Sequence, residues 1–141
     1  MAVLLKVKNS QTFVENLNEI LKENTMGEKP GVNWITEEFT NGTFYTFYTD
    51  KGFWNKRAWF RKCPDVTRKQ FNDIKGTSYN LIFRLHGTKG DEMAMETYNF
   101  YHSRFVEFLL NNLMEEIKEL SITTAKEDIV KLDMFKNYDW R

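Results

Sequence analysis

Apolar and polar positions along this chain repeat with two different periods, and the switches between them mark out the elements. Residues 2–7 form a short apolar run with β-branched Val3 and Val7, which predicts a strand. Phe13, Leu17, Ile20 and Leu21 then recur at helical spacing behind a Thr12-x-x-Glu15 capping box, with Ser10 as the alternative cap. Gly27, Pro30 and Gly31 end that helix. From residue 32 the period drops to two. Residues 32–39 set Val32, Trp34 and Thr36 against Asn33, Ile35 and Glu37, and residues 43–49 set Tyr45 and Phe47 against Phe44, Thr46 and Tyr48. Residues 53–62 complete a predicted three-stranded antiparallel meander spanning 32–62, with turns at Asn41-Gly42 and at Asp50-Lys51-Gly52, the last glycine left-handed. Both faces of the meander carry rings, so its second face is expected to be covered by a helix, a second subunit or a ligand.

The later chain reads as one more strand among helices. Thr67-x-x-Gln70 with Val66 and Phe71 as a staple, closed by a left-handed Gly76, predicts a short helix over 68–75. Residues 78–86 alternate Tyr79, Leu81, Phe83 and Leu85 against Asn80, Ile82, Arg84 and His86, which predicts a strand. Residues 91–101 fit either a sixth strand or the start of a long helix capped by Asp91, and the helix formers Ala, Met and Glu favour the helix. The apolar stripe of Phe105, Leu109, Leu113 and Ile117 carries that helix to residue 120. Thr124-x-x-Glu127 caps a last helix, so residues 91–136 form a C-terminal helical region. The expected fold is α+β: a single domain over 1–141, with an antiparallel sheet of about five strands carrying an N-terminal helix and a long C-terminal helix.

Composition narrows the classes. At 141 residues and 41% hydrophobic the chain is long enough for one buried core, and the 16% aromatic share argues against disorder. Cys63 is the only cysteine, so no intrachain disulfide forms and a cytoplasmic home is expected. No apolar run is long enough for a signal-peptide core or a membrane span, and no membrane partner is expected. Net charge is zero but unevenly spread. Residues 51–75 hold eight Lys or Arg against Asp65 and Asp73, a net of +6, while residues 91–128 hold nine Asp or Glu against Arg104, Lys118 and Lys126, a net of −6. Such polarity suits either an anionic partner at the basic half or pairing of the two halves within the fold.

The candidate chemistry lies in the basic, aromatic stretch 53–62. Taken as a regular strand, one face presents Phe53, Asn55, Arg57, Trp59 and Arg61, and the other Trp54, Lys56, Ala58, Phe60 and Lys62. Rings for base stacking beside guanidiniums for phosphate are what a single-stranded nucleic acid or a nucleotide requires. Lys56, Arg57, Trp59, Arg61, Lys62, Arg84 and His86 are therefore the expected ligand-binding residues. The plain alternative is an amphipathic strand whose rings are core and whose basic stems run along the sheet.

Catalytic signals are poor. His86-Gly87-Thr88 has the H-x-T pattern of two-histidine phosphoesterases, but the second motif fails, since His102-Ser103-Arg104 is H-x-R. No metal-ligand spacing or phosphate loop occurs, and no cofactor is expected. The sequence thus favours a non-enzymatic binding protein for an anionic ligand. A homo-oligomeric interaction module is the alternative, and a phosphoesterase-like enzyme using His86 the third reading.

Overall fold

The protein is described here from a computed structural model, which covers residues 2–22, 24, 32–40, 42–50, 52–87 and 93–123. Chain order is β1 (Ala2–Val7), α1 (Ser10–Leu21), β2 (Trp34–Phe39), β3 (Gly42–Phe47), β4 (Trp59–Lys62), α2 (Asp65–Lys75), β5 (Leu81–His86), α3 (Met95–Leu113), a single 3₁₀ turn (Met114–Glu116) and β6 (Ile117–Ile122). The six strands form one antiparallel sheet in the order β2-β3-β4-β5-β1-β6. The fold is α+β, with six strands where about five were expected.

Side chains alternate across that sheet, and each face has its own cover. Val3, Leu5, Trp34, Tyr45, Phe47, Phe60, Leu81, Phe83 and Leu85 point to the face where α1 supplies Phe13, Leu17 and Leu21 and α3 supplies Tyr98, Tyr101, Phe105 and Leu109. Phe105 lies parallel to Phe60, with centroids 4.3 Å apart and planes 14° apart, and meets Phe83 edge-on at 5.4 Å. Much of the chain's aromatic share is spent here. On the second face α2 lays Phe71 over Ala2, Leu4, Cys63 and Ile82. A separate cluster of Phe44 and Trp59, with Phe39 against it, occupies the β2-β4 part of that face. No helix among the described residues is long and apolar enough to cross a membrane.

The elements depart from their predicted limits in physically readable ways. Helix α1 is capped by Asn9, one residue before the candidate Ser10, and its Oδ1 accepts the Thr12 N–H at 2.9 Å. Helix α2 starts at Asp65 behind Pro64, so Thr67 sits inside the first turn, and Val66 is 65% exposed instead of stapled to Phe71. Its predicted end holds: Gly76 is left-handed at φ 66° and its N–H reaches the Asn72 carbonyl. Phe39 pairs with Gly42, which opens β3 at φ +123°. The long helix begins at Met95, behind Ala94, and stops at Leu113. The helix expected through residue 120 gives way to β6, because β1 has an open backbone edge that must be paired. Val7 pairs with Ile117 and Val3 with Ile122. Asn41, Lys51, the Asp91 cap and the helix predicted after Thr124 lie outside the described residues.

Candidate functional site

The basic, aromatic stretch is not one strand. Only Trp59–Lys62 pairs in the sheet, and residues 53–56 form turns that carry the chain out to α3 and back. The excursion is closed by Asn55, whose side chain accepts the Thr49 N–H at 2.8 Å and donates to the Thr49 carbonyl at 2.5 Å, as a strand neighbour would. Gly52 has to lack a side chain because a Cβ there would collide with Thr49 Oγ1 and Asn55 Oδ1; it is not left-handed. The left-handed residue is Lys56, at φ 51°, whose N–H returns to the Phe47 carbonyl at 3.1 Å.

One buried phenol from α3 fixes the loop from inside. Arg57 N–H donates to the Tyr101 hydroxyl at 2.9 Å, and that hydroxyl donates to the Trp54 carbonyl at 2.5 Å. Thr46 Oγ1, 3.5 Å from the same hydroxyl, donates to the Ala58 carbonyl at 2.7 Å. Burial raises the Tyr101 pKa despite these hydrogen bonds, so the phenol keeps its proton.

The outer side of the loop is a continuous ladder of rings and guanidiniums. The Arg57 guanidinium lies 3.9 Å from the Phe53 centroid and 5.8 Å from Trp54, and its Nε donates to the Phe53 carbonyl at 2.6 Å. Phe53 meets Trp54 edge-on at 5.1 Å, and Trp54 stacks on Phe100 of α3 at 4.5 Å and 12°. Arg104, one helical turn on, lies 5.5 Å from the Phe100 centroid. Phe53 is 69% exposed at the tip. Of the expected site residues only Arg57 belongs to this ladder. Lys56 stands beside it, with Nζ 3.7 Å from Glu37 and 5.5 Å from the Tyr48 centroid. Phe100 and Arg104 were missed by sequence reasoning, although their i,i+4 spacing on one helix was there to read.

Trp59, Arg61, Arg84 and His86 come together elsewhere, on the second face of the sheet. Arg61 sits directly opposite Arg84, and Trp59 opposite His86. Trp59 is 5% exposed and its indole N–H donates to Glu37 at 3.1 Å, so its ring belongs to the core cluster with Phe44. That burial removes it as an open stacking platform. The Arg61 guanidinium lies 5.4 Å from the Phe44 ring. Lys62, opposite Phe83, belongs to the other face, and with Arg61 it lines an open cleft of about 370 Å³ beside Val14 and Asn18 of α1.

The remaining reactive groups are held quiet. Burial pushes the His86 pKa down to about 2, helped by the positive fields of Arg84 and Arg61. His102, 3% exposed, has Nδ1 2.9 Å from the Tyr98 carbonyl, and burial lowers its pKa to about 4. Its ring packs on Phe60, on the α3 side of the sheet, whereas His86 packs on Phe44 on the other side. The two imidazoles therefore do not face a common substrate. Burial pushes the Cys63 thiol up to about 12, which leaves no thiolate at neutral pH. Among the described residues no three His, Cys, Asp or Glu side chains are grouped as metal ligands. No protein-family model, no curated protein and no solved structure matches this chain.

Proposed function

We propose that this chain is a small non-enzymatic binding protein that takes single-stranded nucleic acid on the ladder of Phe53, Trp54, Arg57, Phe100 and Arg104. The observation that carries this reading is the unbroken contact from Arg57 through Phe53, Trp54 and Phe100 to Arg104, with Phe53 exposed at its end. Trp54 and Phe100 use a face on each other, which braces the ladder, and the exposed Phe53 ring is the one that a base would stack on, for roughly 1–3 kcal/mol. A guanidinium at each end places positive charge where the phosphates of a stacked strand pass. The loop is held by Asn55 and Tyr101 before any ligand arrives, so little ordering cost falls on binding.

The test is titration of labelled single-stranded RNA and DNA octamers with the wild-type protein and with Phe53→Ala and Arg57→Glu. Both side chains are exposed, so both variants should fold. Losing one stacking ring should weaken binding by roughly 5- to 150-fold, the ratio equivalent of the stacking energy. Trp59→Ala is a poor probe, because removing a buried ring tests stability. No binding at low salt, or binding indifferent to Phe53→Ala, would overturn the proposal. Solution mass measured on the same samples tests the self-association alternative, which predicts a multimer in the absence of nucleic acid.

A further inference from the structure

The ladder does not stop at Arg104. On α3, Phe100, Arg104, Glu107 and Asn111 follow one another at spacings of four, three and four residues, which puts them in one stripe about 16 Å long. Past Arg104 the stripe borders a cleft of about 160 Å³, walled by Asn33, Arg104, Glu107 and Asn111 over Phe47 and Phe108. Phe47 also meets Phe100 edge-on at 4.9 Å, so cleft and ladder share a wall as well as Arg104. At about 30 Å³ per water the cleft holds some five waters. That is room for one flat ring, and too little for a helix or a folded peptide.

We infer that this cleft receives a single unpaired base from the strand bound on the ladder, and that it prefers adenine to uracil. The inference rests on the proposed nucleic-acid reading. Its own warrant is the chemistry of the walls. The side-chain amides of Asn33 and Asn111 are exposed and make no hydrogen bond among the described residues, so each has a carbonyl acceptor and an NH₂ donor to offer. An asparagine amide matches adenine bidentately, donating to N7 and accepting from the N6 amine. Glu107, held 3.5 Å from Arg104, adds a second acceptor for an exocyclic amine. Uracil has no such amine, and its O4 would face the Glu107 carboxylate. Phe47 and Phe108 supply the apolar floor for the ring.

The experiment compares an oligouridine octamer with the same octamer carrying one central adenine, on wild-type protein and on Asn111→Ala and Asn33→Ala. The expected result is tighter binding of the adenine octamer by about 5- to 150-fold, the discrimination typical of one bidentate pair. Asn111→Ala should abolish that ratio, bringing the two octamers to equal affinity. Equal affinity of wild type for the two octamers, or a preference that survives both substitutions, overturns the inference and leaves the ladder standing. Failure of both octamers to bind wild type overturns the ladder and the inference with it.

Discussion

Two buried histidines give this protein a pH dependence that can be worked out from their surroundings. In the unfolded chain each has a pKa near 6.5, whereas in the fold burial holds His102 near 4 and His86 near 2. The folded state is the one that refuses the proton. Stability is therefore complete above about pH 6.5 and falls as pH drops from 6.5 towards 4, because over that range the unfolded chain binds more protons. Each histidine contributes a slope of up to about 1.4 kcal/mol per pH unit, so His102 alone accounts for about 3 kcal/mol by pH 4. Urea midpoints measured at pH 7.5, 6 and 5 should decline steadily. In His102→Gln the decline should be about half as steep, whatever the variant's stability at pH 7.5. An unchanged slope in that variant would mean that His102 titrates normally in the fold.

Helix α3 does two jobs at once: its inner face packs the sheet and its Tyr101 holds the loop that carries Phe53, Trp54 and Arg57. Tyr101→Phe keeps the ring but strips the hydroxyl from the Arg57 N–H and the Trp54 carbonyl. Leaving those groups unsatisfied should cost about 1–3 kcal/mol in urea unfolding. It should also weaken octamer binding, because the loop no longer presents a fixed ladder; wild-type affinity in Tyr101→Phe would show that the ladder is fixed by other contacts. How far such elements could be read from sequence depended on whether local chemistry or long-range pairing sets them. The end of α2 was legible because only a left-handed residue at Gly76 closes it, and β5 because Leu81, Phe83 and Leu85 alternate cleanly against Ile82, Arg84 and His86. The strand β6 was hidden: Ile117 continues the helical stripe of Phe105, Leu109 and Leu113, and the open edge of β1, which decides the matter, lies more than a hundred residues away. The stretch 53–58 misled for a similar reason. Its alternation suits a strand, but the pull of Phe100 on Trp54 and of Tyr101 on the backbone is exerted from another element. The seven expected site residues were thereby split, with Arg57 going to the ladder and Trp59, Arg61, Arg84 and His86 to the opposite face of the sheet.

Over the whole molecule the charge is zero, yet the basic stretch 51–75 and the acidic stretch 91–128 differ by twelve charges. Within the fold Lys56 meets Glu37 and Arg68 meets Asp65, so neither of these basic groups is paired with the acidic stretch. The ladder takes one arginine from each half, Arg57 from the basic and Arg104 from the acidic, which limits its own positive field. That makes the salt dependence of binding a discriminating quantity. For single strands the slope of log affinity against log salt is about −0.7 per phosphate neutralised, so two arginines predict about −1.4. Raising salt from 50 to 200 mM should then weaken octamer binding only about sevenfold. Phe53→Ala should lower affinity equally at every salt, because it removes stacking and leaves the charges in place. Arg57→Glu should flatten the slope. A wild-type slope several times steeper would mean that the strand rides on the basic stretch at large, with Arg61 and Arg84 engaged, and the binding surface would then belong on the opposite face of the sheet.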